Sequence, residues 1–311
     1  MITVLKKIAK QLPHPLLMRS YHFWHVNRHR SATRRAAQQV AIPMLDRLDL
    51  GTVKTSDTLF ILGSGPSIND ISPERWAVIA KHDSVGFNFW PFHSFVPRMY
   101  FLESISYESV EGACTPTMFD AVRRMLSDRA EAYQNVVKVI TDVGLHQHRQ
   151  LILELPETWK PNLYAAYTVP VVARFAEELT VGVRYLNKRG AFTPARRIDW
   201  LFKYCGTLSS MITLGVRMDY RRIVLCGIDM GKQVYFFQDP KRFPQTSQLE
   251  FSPRDRQHHT AIGQPWMVPM QVVVATLMRE VLEPAGIELY LENSKSALAP
   301  LVSTIPDVAF A

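Results

Sequence analysis

One stretch constrains this chain more than any other: Thr58-Leu59-Phe60-Ile61-Leu62-Gly63-Ser64-Gly65-Pro66-Ser67-Ile68. An apolar run breaks into two glycines one residue apart and then into a proline-led polar helix start, the pattern of a first strand and nucleotide loop in an α/β domain. Glycines at 63 and 65 let the backbone turn sharply and approach a ligand. Ser64 and Ser67 offer hydroxyls and amides where a helix begins, a place suited to phosphate. The same residues also describe an ordinary strand-to-helix turn with Ser67 as its cap.

Beyond the loop the chain alternates strand and helix patterns. Ser72-Pro73-Glu74-Arg75-Trp76 predicts a helix with Ser72 as N-cap and Pro73 at its first position. Ser84 to Phe89 and Arg98 to Leu102 read as short strands ending in Asn88 and in Glu103-Ser104. Pro116 to Tyr133 has helical periodicity, and Val136 to Thr141 reads as a buried strand. Residues 145 to 205 break the rhythm, with His146, His148, a helix expected from Pro170 to Leu179 and a basic run from Arg184 to Arg197. They read as an insertion or smaller lobe covering a pocket. Regularity returns with a helix pattern from Gly206 to Met218 and an apolar strand, Arg222 to Cys226, that runs into Gly227-Ile228-Asp229. Lys232 to Gly263 is polar and long enough to be a mobile lid. A helix from about Val268 to Leu282 and a strand from Ile287 to Leu291, followed by Asn293-Ser294-Lys295-Ser296, complete the order. The expected fold is α/β and Rossmann-like. A mostly parallel sheet with helices on both faces spans residues 56 to 311, with a lid or insertion lobe, and an arm of residues 1 to 55 precedes it.

In such a sheet, ligands bind outside the carboxyl ends of the strands. The residues expected there are Gly63, Ser64, Gly65, Ser67, Asn88, Glu103, Ser104, Gly227, Asp229, Ser294 and Ser296, with Tyr235, His258 and His259 in the candidate lid. Together they suit a nucleotide pocket in which a histidine acts as general base and a tyrosine hydroxyl steadies a departing phosphate. Each histidine taken alone also suits a surface role, and Asp229 a turn cap. Other nucleotide signatures are absent from the sequence. The third glycine of GxGxxG falls on Ile68, although Asp83 stands near the distance of a ribose-binding acid, and no GK[ST] follows the loop. There is no D-x-D pair, HExxH or GxSxG. The expectation is metal-independent chemistry on a nucleotide substrate, with no cofactor.

The stretch Ile61 to Ile68 resembles the N-terminal G-N-G-P-S loop of bacterial CMP-sialic acid sialyltransferases of the Cst type, glycosyltransferase family 42. Met218 to Asp229, ending in C-G-I-D, is similar to that family's segment ending in S-G-I-D. The likeness covers roughly residues 58 to 300. A weaker one extends to other G-x-G-P-S glycosyltransferase-like and pterin-diphosphokinase-like proteins. The resemblance implies a GT-A-variant fold and inverting, metal-free transfer of sialic acid from a CMP-activated donor to a glycan or glycolipid hydroxyl. On this resemblance Ser64 stands at the loop asparagine, Ser67 at the loop serine, Asn88 at a donor-binding asparagine and Thr207 near the hydroxyl that opens a helix. Tyr235 matches the second of two tyrosines on the leaving phosphate, and Gly231 occupies the place of the first. The base falls on His259 or His258, or on Gln264 in another register. The arginine expected before the helix falls near Tyr204, with Lys203 adjacent. Two alternatives remain: a pterin-diphosphokinase-like or other nucleotide-dependent transferase, and a non-catalytic nucleotide-binding protein.

Charge bears on location. The whole net +8 arises in residues 1 to 54, where ten Lys and Arg face only Asp46 and Asp49. Leu5, Ile8, Leu12, Leu16, Leu17, Met18, Tyr21, Phe23 and Trp24 interleave with them. Such an arm suits an anionic membrane surface, and equally a helix packed outside the domain with a solvated basic face. A balanced body argues against nucleic acid. Cys114, Cys205 and Cys226 lack disulfide or zinc spacing, and no apolar run approaches the roughly 20 residues that cross a bilayer. The expected place is the cytoplasm, at the inner face of the membrane. A homo-oligomer is compatible with this reading.

Overall fold

The computed structural model describes residues 14–103, 116–141, 146–171, 173–231, 234–246, 259–263 and 267–306. In chain order its elements are α1 (His14–Gln39), β1 (Thr58–Leu62), α2 (Pro73–Ile79), β2 (Asp83–Phe87), β3 (Met99–Leu102), α3 (Pro116–Asp128), β4 (Val137–Thr141) and α4 (His146–Glu154). There follow β5 (Leu163–Pro170), α5 (Ala176–Asn187), β6 (Trp200–Lys203), α6 (Thr207–Arg217), β7 (Arg222–Cys226), α7 (His259–Ile262), α8 (Met270–Leu277) and β8 (Glu288–Leu291).

The eight strands form one wholly parallel sheet in the order β6-β5-β4-β3-β2-β1-β7-β8. A parallel strand is covered on both faces and so reads as a continuous apolar run. In β1, Leu59 and Ile61 enter one hydrophobic core with α5, α6 and α8, while Phe60 and Leu62 enter another with α1, α3 and α4. The Rossmann-like α/β expectation is met, with helices on both faces. The cap of α2 also forms as predicted: Ser72 Oγ accepts from the Arg75 amide at 3.2 Å, with Pro73 in the first turn.

Three expectations change. The segment from 145 to 205 is no lobe over the pocket, because it supplies β5 and β6 to the main sheet. The helix expected over 170–179 gives way to the end of β5 and a helix starting at Ala176. Ala165 and Ala166 are fully buried in β5, and Pro170 takes its last position, paired with Lys203. The later part of the arm follows its other reading, a helix packed on the outside of the domain. Thr33, Ala36, Ala37 and Val40 of α1 are buried, and Arg30 and Arg34 pair with Asp199 at 2.7 and 3.2 Å. Residues 27 to 31, further back, are exposed all round the helix. Part of the expected lid is also core: Phe236 and Phe237 are fully buried, and the Phe236 amide donates to Ser64 O at 2.9 Å. Among the described residues, no helix is long and apolar enough to cross a membrane.

Candidate functional site

Chain order along the sheet reverses between β1 and β7. Strands β1 to β6 follow one another to one side, and β7 and β8 lie on the other. At such a switch point two strand-end loops diverge and leave a crevice. Here they are Gly63-Ser64-Gly65 and Gly227-Ile228-Asp229, which continue the sheet pairing past the strands: Gly63 N donates to Cys226 O at 2.8 Å and Gly65 N to Gly227 O at 2.7 Å.

That pairing explains the glycines. A Cβ on Gly63 would lie 2.4 Å from Ile228 Cδ1, and one on Gly65 2.4 Å from Asp229 Oδ2, so both positions are closed to a side chain by the neighbouring loop. Asp229 completes the lock. Its carboxylate accepts the Ser67 amide at 2.8 Å and the Ser67 hydroxyl at 2.5 Å, and Ser67 is buried. Ser296 Oγ donates to Ile228 O at 2.5 Å and holds the second loop from beneath. The amides of Gly63, Gly65 and Ser67 are therefore spent within the protein, and Ser67, whose amide and hydroxyl were expected to suit phosphate, offers neither. The glycine turn is scaffold, and neither Gly63, Ser67 nor Ser296 lines the cavity in front of it.

This cavity has a volume of about 590 Å³, within the usual range of roughly 300–1,000 Å³ for small-molecule sites. It gathers Ser64, Gly65, Asn88, Glu103, Thr207, Gly227, Asp229 and Tyr235 of the predicted set, together with Lys203, Cys205, Gly206 and Thr260. Phe89 and Tyr235 bring aromatic surface, their ring centres 6.0 Å apart, and Tyr235 stacks on Phe237 at 5.4 Å. Gly206 precedes and Thr207 opens α6, an eleven-residue helix whose start, the positive end of its dipole, lines the cavity.

Backbone strain concentrates here. Of the six non-glycine residues with left-handed φ among the described residues, Asn88 (53°), Cys205 (67°) and Met230 (52°) line the cavity. Each such conformation costs on the order of 1–3 kcal/mol and persists only where surroundings impose it. Asn88 shows how: its amide donates to Phe101 O, its carbonyl accepts from Tyr100 Oη, its Oδ1 accepts the Glu103 amide at 3.1 Å and its Nδ2 donates to Thr207 Oγ1 at 3.3 Å. Asn88 thus braces the end of β3 against the start of α6.

The cavity's titratable groups play distinct parts. Burial pushes the Cys205 thiol up to about 12, so it is protonated at neutral pH and no nucleophile. Lys203 Nζ and the Glu103 carboxylate form an ion pair on the cavity wall. In the sequence Glu103 stands out as a strand end, whereas Lys203 stands out only as the neighbour of Tyr204, because four residues mark β6 weakly. The run Trp200 to Lys203 ahead of the Gly206-Thr207 helix start was the available signal. Tyr204 is structural, its hydroxyl donating to Ala173 O at 2.8 Å and accepting the Val268 amide at 3.0 Å. Asp83 lies at the opposite end of the sheet, where it accepts from Thr55, Ser56 and Tyr220. His259 opens α7, and the next residue, Thr260, lines the cavity. His258, Ser104 and Gln264 lie outside the described residues. His148 is buried against Thr141 O at 2.9 Å. Among the described residues, no cluster of three or more His, Cys, Asp or Glu is arranged to hold a metal ion.

No protein-family model matches the chain, and no curated protein matches it.

Proposed function

We propose that the cleft binds a nucleotide-activated sugar and that the chain is an inverting glycosyltransferase, with a CMP-linked sialic or related acidic sugar as donor class. The observation that carries this reading is the cavity at the switch point, where Ser64, Asn88, Thr207 and Tyr235 converge from separate elements around the first turn of α6. The phosphate would lie against that helix start and Tyr235, with the base near Phe89. The acceptor oxygen attacks the anomeric carbon as the bond to the phosphate oxygen breaks, and the acceptor proton passes to His259 or His258. Closeness of Thr260 to the cavity favours His259. The reaction as proposed calls for no metal. In this reading the basic arm holds the enzyme at an anionic membrane surface, near a lipid-linked acceptor.

A panel of CMP-, UDP- and GDP-linked sugars with the purified protein tests the reading. It expects a cytidine nucleotide to raise the melting temperature and its sugar donor to be consumed. Replacing the catalytic histidine by Gln should slow turnover about 10²–10⁴-fold while the melting temperature holds. If no cytidine nucleotide stabilises the protein and none is consumed, the donor class is wrong.

One observation favours a second reading, a nucleotide-binding protein without transferase activity. The loop amides are engaged within the protein, so a ligand would be held by fewer groups than the resemblance implies.

A further inference from the structure

We infer that Lys203 and Glu103 form an anion subsite of the cleft, distinct from the start of α6, in which Glu103 is a resident counter-ion that a ligand's carboxylate or phosphate displaces. The inference rests on the nucleotide-sugar reading only for the identity of that ligand.

The two residues end β6 and β3, which are separated in the sheet by β4 and β5. Their long side chains meet above the ends of those two strands and pair on the cavity wall, at 26% and 16% exposure. The pair belongs to a closed ring. Glu103 N is tied to Asn88 Oδ1, Asn88 Nδ2 to Thr207 Oγ1, and Thr207 lies four residues beyond Lys203, across the strained Cys205. This ring fixes both backbones, so any exchange of partners falls to the carboxylate and the ammonium. A half-wet ion pair contributes little to stability, about 0–1 kcal/mol, so stability alone does not account for placing this pair on the wall of a cavity whose lining also includes Phe87, Leu208, Met267 and Met270. With Glu103 in place the lysine is neutralised, and an entering oxyanion must compete with it.

A structural brace and a displaceable counter-ion predict opposite signs for one substitution. Glu103→Gln removes the counter-charge that Glu103 sets against the lysine and should tighten anion binding about tenfold, the scale of one charge-assisted hydrogen bond. Lys203→Met should weaken it by a similar factor, and the double variant should behave as Lys203→Met. Glu103→Asp, which keeps the charge, should stay near wild type. Titration calorimetry and thermal shift on the full chain would use sodium phosphate, CMP, CMP-linked N-acetylneuraminate and UDP-glucose, with each variant's ligand-free melting temperature as the folding control. A gain in Glu103→Gln with phosphate and CMP assigns the subsite to phosphate. A gain confined to the CMP-linked acidic sugar assigns it to the sugar carboxylate. A response to phosphate with none to either cytidine probe leaves the subsite standing and removes the donor class. Weakening by both single variants, no change in either, or wild-type protein that binds none of the four probes overturns the inference.

Discussion

The lock between Asp229 and Ser67 offers the sharpest test of whether the glycine turn is scaffold or ligand site. Both carboxylate oxygens are engaged, one by the Ser67 amide at 2.8 Å and one by its hydroxyl at 2.5 Å. Asp229→Asn keeps the shape but replaces one acceptor with an NH₂ group facing a donor. The Ser67 hydroxyl must then turn from donating to accepting, and the loss of the charged acceptor costs about 1.5–3 kcal/mol. Ser67→Ala removes only the hydroxyl, at about 1.5 kcal/mol. In the double variant the asparagine oxygen can turn to the remaining amide, so the two costs should fall short of additive by about 1 kcal/mol or more. Urea unfolding of the four proteins, followed by tryptophan fluorescence, measures the cycle. Nucleotide affinity measured alongside should fall in proportion to the loosening of the loop. The reasoning fails if Asp229→Asn leaves the unfolding midpoint unchanged while abolishing ligand binding, because the carboxylate would then be serving the ligand and not Ser67.

Lys138 makes stability depend on pH. It is buried in β4, donating to Tyr133 O at 2.6 Å and Val136 O at 2.8 Å above the Trp159 ring, and burial lowers its pKa to about 8 from 10.5. Between those values the unfolded chain holds a proton that the folded one has released, so stability should rise with pH across that window, by roughly 3 kcal/mol in total. Urea unfolding at pH 7.5 and pH 10 should show this rise in wild type and lose it in Lys138→Met; equal pH slopes in the two proteins would refute the assignment. The arm yields a prediction about membranes. Residues 1–25 carry Lys6, Lys7, Lys10 and Arg19, and at about 1 kcal/mol per basic residue their removal should weaken binding to anionic vesicles nearly a thousandfold. Co-sedimentation at low and high salt would read this, and equal binding to neutral vesicles would refute it.

Legibility in the sequence followed burial. Strands β1 and β7 were readable residue by residue because a doubly covered strand is apolar from end to end, as in Thr58–Leu62 and Arg222–Cys226. Strand β5 was hidden: its core contribution is Ala165 and Ala166, too small to mark a strand, and its terminal Pro170 reads as a helix start. Strand β6 is four residues long, preceded by Asp199 and ending in Lys203, so only its three leading residues are apolar. The same limit shaped the site. Strand-end logic found Ser64, Asn88 and Glu103, the candidate lid supplied Tyr235 and the family resemblance Thr207, and all five line the cavity. Polar pairing across the chain was beyond it. Ser67 and Asp229 each look available to a ligand, and only their contact, 162 residues apart in sequence, shows that each satisfies the other. Ser296 is likewise spent on Ile228 O.

The position of β1 also bears on how the chain is made. It pairs with β2 on one side, available almost at once, but its other edge waits for β7. Everything from Leu62 to Arg222 must leave the ribosome first, which at roughly 5–20 residues per second takes on the order of 10–30 s. Throughout that interval the nascent protein shows an unpaired apolar edge, Leu59 to Leu62, able to recruit a strand from another chain. Arrival of β7 closes the edge and, in the same step, brings Gly227 and Asp229 against the glycine turn to finish the cleft. A truncated product ending before β7 would be adhesive and would lack half of the cleft, so binding of the proposed ligand would also report that synthesis had passed β7.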